Sequence, residues 1–199
     1  MLLCYLLGTM DVISGIISLL VSVFAYRSYR TIKEKPLLFL GLSFSLIGLG
    51  ILMKGVSLFF LHRRTVQLVV VCVLISRFAK ILSYLILALT YTIQLRTTFL
   101  KVVLALPLLK YLLVNPIADA IAIFLLCYII FHLSLTFINE KNILTLFVTL
   151  AFSCLLLSHL LSIISYYSLS LLVLFISSIM QVLGFSLMLI ILIEIGRKK

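Results

Sequence analysis

Residues 99–114 read FLKVVLALPLLKYLLV, and the number of membrane crossings turns on them. Longer apolar runs lie on either side, at about 2–25, 37–61 and 66–92 before and about 117–137, 143–165 and 169–195 after, each near the ~20 apolar residues that span a bilayer. The 99–114 run is shorter and carries Lys101, Pro107 and Lys110, so hydropathy alone allows an interfacial helix.

Loop charge decides between the two, because cytoplasmic loops carry an excess of Lys and Arg. The first loop holds Arg27, Arg30, Lys33 and Lys35, which sets it inside and the N-terminus outside. If 99–114 crosses, Arg96, Lys101, Lys141, Arg197, Lys198 and Lys199 join the inner side, giving ten basic residues against Arg63, Arg64 and Lys110 outside. If it does not cross, every later loop flips and the bias shrinks to seven against six. The sequence therefore predicts one all-α, polytopic transmembrane bundle over residues 1–199. It has seven helices (six with 99–114 interfacial), the N-terminus outside and the C-terminus cytoplasmic, in the cell membrane.

Composition requires the lipid setting. Of 199 residues 65% are hydrophobic and 11% charged, with a mean hydropathy of +1.40. A soluble body of this size could not hide that much apolar surface. The first run has no basic region before it and carries Asp11 mid-segment, so it reads as a spanning helix rather than a cleaved leader. The net charge of +11 gathers at the ends of apolar runs, which is membrane topology and not a nucleic-acid footprint. Cys4, Cys72, Cys127 and Cys154 all sit inside apolar runs without CxxC spacing, and read as small buried hydrophobes.

Depth can then be compared between spans. Counted from the outer ends, Asp11 is about nine residues in, Lys54 about seven, Arg77 about eleven, Lys80 about fourteen, His159 about six and Gln181 about twelve, a layer roughly 9–18 Å deep with Lys80 a little below it. An ionised side chain at a span's centre costs at least about 2.5–3.5 kcal/mol, so it faces the bundle interior or a wet cavity. Arg77 and Lys80, three apart, share one helix face. Asp11 reads as the only deep carboxylate and as counter-ion to one of them, with an Asp11–Arg77 pair as the structural alternative. Three cations against one anion leave a surplus. That surplus points to an outward-facing pocket for an anionic small molecule or lipid head group, with Arg77 as the fork-shaped binder. The six residues Asp11, Lys54, Arg77, Lys80, His159 and Gln181 form the candidate site. No cofactor or metal is expected.

Several chemistries are excluded. Five acidic residues, mostly far apart, cannot supply the clustered carboxylates of a Mg-dependent lipid transferase. HExxH, GxSxG and GxxxxGK[ST] are absent. Ser158 and His159 are neighbours in sequence, but adjacent helical positions do not face each other. His132 and His159 lie some 18 Å apart in depth, too far to sandwich a haem. His62 reads as interfacial, and Tyr166 and Tyr167 as an aromatic belt. The topology resembles that of microbial rhodopsins, yet 169–195 has no lysine to hold retinal.

The stretches AYRSYRTIKEKPLLFLGLSFSLIGLGILMKG (25–55), LAFSCLLLSHLL (150–161) and MQVLGFSLMLIILI (180–193) resemble a group of small multi-pass proteins from archaea. Similar membrane regions serve as input modules of sensor kinases. The resemblance implies a membrane location and a ligand-sensing or interaction role with a signalling or complex partner protein. The other classes the residues allow are a small anion or proton transporter and a structural subunit of a larger membrane complex.

Overall fold

A computed structural model describes residues 2–60, 66–92 and 115–197. These residues form six helices: α1 (Leu2–Ile32), α2 (Lys35–Phe60), α3 (Val66–Thr92), α4 (Asn115–Glu140), α5 (Ile143–Ser168) and α6 (Leu171–Arg197). All six are long and apolar enough to cross a membrane. No strand occurs among the described residues. The 99–114 run lies outside the described residues.

The boundaries follow local chemistry. α2 and α4 begin on Lys35–Pro36 and Asn115–Pro116, where proline's fixed φ and missing N–H suit the first turn. Asn142 caps α5 by accepting the amide N–H of Leu144 at 3.0 Å. α1 runs past the apolar stretch to Ile32, further than hydropathy suggests, because Tyr29–Ile32 continue the helix in a polar setting. It stops where Lys33 turns to φ 58 and donates its N–H to the Tyr29 carbonyl at 2.7 Å. Lys141 and Leu169 close α4 and α5 in the same left-handed conformation.

Short links fix the directions. α1–α2, α4–α5 and α5–α6 are joined by two residues each, and α2–α3 by five, too few to recross a ~30 Å core at ~3.5 Å per residue. Each of these pairs is therefore antiparallel. At one end of the bundle Phe24 and Arg27, late in α1, share a cleft with Ile193 and Arg197, late in α6, so α1 and α6 run the same way. Call the end where α1 begins the upper end. Then α3 finishes at the lower end and α4 starts at the upper end.

α1 and α2 are held by a seam of small residues. Ideal Cβ atoms would sit 3.4 Å from the Gly55 carbonyl at Gly8, 3.1 Å from the Gly48 carbonyl at Gly15, and 3.3 Å from the Ser22 carbonyl at Gly41. Gly8, Gly15 and Ser22 thus meet Gly55, Gly48 and Gly41 in turn, each set spaced by seven. A seven-residue repeat keeps one stripe facing one partner, and residues without side chains let the backbones approach. Only glycine fits Gly55, whose Cβ would lie 3.0 Å from the backbone nitrogen of Val12.

The rest of the interior is apolar with serine. Phe44 of α2 meets Phe185 of α6 edge-on at 5.8 Å, and Phe152, Leu126 and Ile51 are fully buried around them. Outward, Phe124, Phe131, Leu172 and Ile190 are exposed, while Ser14, Ser18, Ser43, Ser76 and Ser83 are buried. Apolar outside and hydroxyl inside is the arrangement lipid selects, since helices there associate through close packing and interhelical hydrogen bonds. Ser18 donates across to the Phe44 carbonyl at 2.8 Å, and Ser177 to the Ser158 carbonyl at 2.8 Å.

Candidate functional site

On α3, Arg77, Lys80 and Tyr84 follow one another at spacings of three and four, which puts them on one face of the helix. That face turns into the bundle's upper half. Lys80 Nζ donates to Gln181 Oε1 at 3.0 Å, joining α3 to α6. Tyr84 Oη lies 3.1 Å from His159 Nε2, joining α3 to α5, with the rings edge-on at 5.5 Å.

His159 continues the chain. Its Nδ1 is 2.7 Å from Asp119 Oδ1 on α4, and Ser162, one turn along α5, donates to Asp119 Oδ2 at 2.8 Å. An ionised carboxylate only accepts, so His159 Nδ1 carries the proton; in the neutral ring Nε2 then accepts the Tyr84 O–H. Three helices are tied by one polarised chain, Tyr84 to His159 to Asp119. Its order matches the nucleophile–base–orienter arrangement of hydrolases, but Tyr84 is buried, at 1% exposed. Both ring nitrogens are engaged, so neither remains to bind a metal. No group of three or more His, Cys, Asp or Glu gathers as a metal cluster among the described residues.

The third connection is an ion pair. Lys54 Nζ of α2 sits 2.9 Å from Asp11 Oδ2 of α1, beside Gly55 on the small-residue seam. Lys54 therefore turns inward to a partner instead of reaching for the membrane surface. Asp11's partner is Lys54, not Arg77. Lys80 lies in the electric field of Lys54, Asp11, Asp119 and Arg77, and Arg77 in that of Asp119, which makes the pieces one electrostatic cluster.

Of the six residues singled out from the sequence, Asp11 meets Lys54 and Lys80 meets Gln181. His159 meets Asp119 and Tyr84, two that sequence reading passed over, and Arg77 is linked by charge alone. Asp119 is a second carboxylate in contact with this layer, which corrects the expectation that Asp11 stands alone. The signal was present: NPIADAIAIFLL (115–126) has one acid in an apolar helix start. Asp119 was missed because it is only four residues inside its helix. Tyr84 of α3 is the other.

The charge count changes accordingly. Lys54, Arg77 and Lys80 face Asp11 and Asp119, leaving one positive charge in excess with His159 neutral. Arg77 is half-buried and makes no ion pair or hydrogen bond among the described residues. Gln181, 8% exposed, presents its Oε1 to Lys80 and leaves its Nε2 without a hydrogen-bond partner. Two donor groups in one layer therefore lack acceptors among the described residues. The cysteines are less buried than their apolar context suggests: Cys72 and Cys154 are half-buried and Cys127 is exposed, and all three are free thiols.

Residues 7–86, about two-fifths of the chain, match the model of DUF7521, a family of unknown function. The match runs from α1 into α3, so it takes in Asp11, Lys54, Arg77, Lys80 and Tyr84 but not Asp119, His159 or Gln181. Comparison with curated proteins gave no match, and comparison with solved structures gave none either.

Proposed function

We propose that this multi-pass membrane protein is a sensing or interaction module whose upper layer faces outward and holds an anionic group against Arg77, Lys80 and Gln181. The observation that carries this is the pair of unmet donors. An orphaned buried donor costs about 1–3 kcal/mol, and an unpaired cation more. A carboxylate or phosphate lying between Arg77 and Gln181 Nε2 would satisfy both and neutralise the excess charge. Arg77 supplies the fork that matches such a group's oxygens.

The outward direction rests on charge. Arg27, Arg30, Lys33, Lys35, Lys141 and Arg197 all belong to the lower end, which the positive-inside rule assigns to the cytoplasm of the cell membrane. The seven-span topology has its own support, since α3 ends at the lower side and α4 starts at the upper.

A second reading, proton transport, is favoured by one observation, the Tyr84–His159–Asp119 chain. Reconstitution in liposomes separates the two. The sensing reading expects no proton or anion flux from the wild type; flux that Arg77→Ala abolishes would replace it with transport.

A further inference from the structure

A second polar feature lies at the opposite end of the bundle. The last turns of α1 and α6 part to leave a cleft of about 290 Å³. A water occupies about 30 Å³, so the space takes a small head group and not a single ion. Its walls combine two chemistries: Arg27 and Arg197 supply positive charge, and Phe24 and Ile193 supply apolar surface. Ser28 lines it with a hydroxyl that has no hydrogen-bond partner among the described residues. No carboxylate among the described residues lines it.

Its level in the membrane follows from length. α1 has 31 residues, about 46 Å at 1.5 Å per residue, against a hydrocarbon core of about 30 Å. The cleft, along the last two and a half turns of α1, falls at the head-group boundary. A phosphate there would meet both guanidinium forks and the Ser28 hydroxyl, while an attached acyl chain would follow Phe24 and Ile193 towards the core. A soluble phosphate would use the charges and leave the apolar wall unmet.

From this combination we propose that the α1–α6 cleft is a binding site for the phosphate head group of an acidic phospholipid. The site is independent of the upper layer and fits basic pockets between spans on the positively charged side of a membrane protein. Gly196 lines the cleft, and a Cβ built on it meets nothing within 4 Å, so a large side chain can be set at the cleft without a clash and with both charges in place.

The test is retention of lipid by the full chain. The protein is reconstituted in nanodiscs of mixed phosphatidylglycerol and phosphatidylcholine, extracted in detergent, and its bound lipid weighed by native mass spectrometry. The wild type is expected to keep phosphatidylglycerol in preference to phosphatidylcholine. Arg27→Gln and Arg197→Gln should each lower that preference about five-fold, and both together about 25-fold. Gly196→Phe should abolish it with the arginines intact. Arg30→Gln should leave it unchanged, because Arg30 stacks on Tyr26 instead. No preference in the wild type overturns the proposal, whatever the variants do. Retention by Gly196→Phe overturns it too, since it would show that surface charge suffices without the cleft. If inorganic phosphate stabilises the delipidated protein as much as phosphatidylglycerol does, the lipid assignment is overturned.

Discussion

The Asp11–Lys54 pair offers a test with a worked magnitude. At 2.9 Å the gross attraction is about 6 kcal/mol at an effective dielectric of ~20, largely offset by desolvation. What the pair is worth therefore shows when one partner is removed. Lys54→Met leaves a carboxylate whose side chain is 4% exposed, which costs about 3–5 kcal/mol. Asp11→Asn leaves a lysine side chain that is 30% exposed and long enough to turn towards water, so the loss falls to about 2–3 kcal/mol. The double variant removes both charges and should return to within about 1 kcal/mol of wild type. Reversible unfolding in mixed micelles measures all four proteins. The reasoning fails if the two single losses simply add, within about 0.5 kcal/mol, or if Asp11→Asn proves the costlier change.

The α1–α2 seam gives a graded prediction. Gly55→Ala sets a methyl against the Val12 backbone at 3.0 Å and should cost about 1–3 kcal/mol, whereas Gly8→Ala meets atoms no nearer than 3.4 Å and should cost less than ~1 kcal/mol. In the relay, His159→Phe strips a donor from Asp119 and should cost about 3 kcal/mol, while Tyr84→Phe loses one neutral hydrogen bond, about 1 kcal/mol; equal losses would argue against the chain. Leu169→Gly should stabilise by up to about 1 kcal/mol in thermal unfolding, because an exposed leucine there holds φ 51. Cysteine placed at Ser168 should react with an impermeant reagent from outside, and one at Lys141 only from the cytoplasm; the reverse would invert the topology.

Much of the bundle was legible because span length and loop charge are one-dimensional quantities. The six helices long enough to span a membrane fall on the six long apolar runs. Depth was legible too, since every helix rises at the same rate, and it set Asp11, Lys54, Arg77, His159 and Gln181 in one band with Lys80 a little below. Pairing within a layer depends on how each helix is rotated, which depth does not carry. Asp11 could be matched to any of three cations until α1 and α2 were set face to face. The rotation was in fact encoded by glycines at 8 and 15 and at 41, 48 and 55, but the eye goes to the denser cluster of Gly41, Ser45, Gly48 and Gly50, of which Gly50 faces Ala79 of α3 instead. Asp119 escaped for the opposite reason. Counted from its own helix end it is shallow, and only the crossing of α4 beside α5 brings it to His159.

The central claim is that the upper layer carries one positive charge more than its own acids balance and that an anion completes it. Thermal unfolding of the purified protein against rising acetate and inorganic phosphate, at constant ionic strength, tests this most directly. The account predicts saturable stabilisation by at least one of the two anions in the wild type. Arg77→Gln and Gln181→Leu should each weaken it about tenfold, as expected for loss of a charge-assisted hydrogen bond. Stabilisation that is absent, or that persists unchanged in Arg77→Gln, would contradict it.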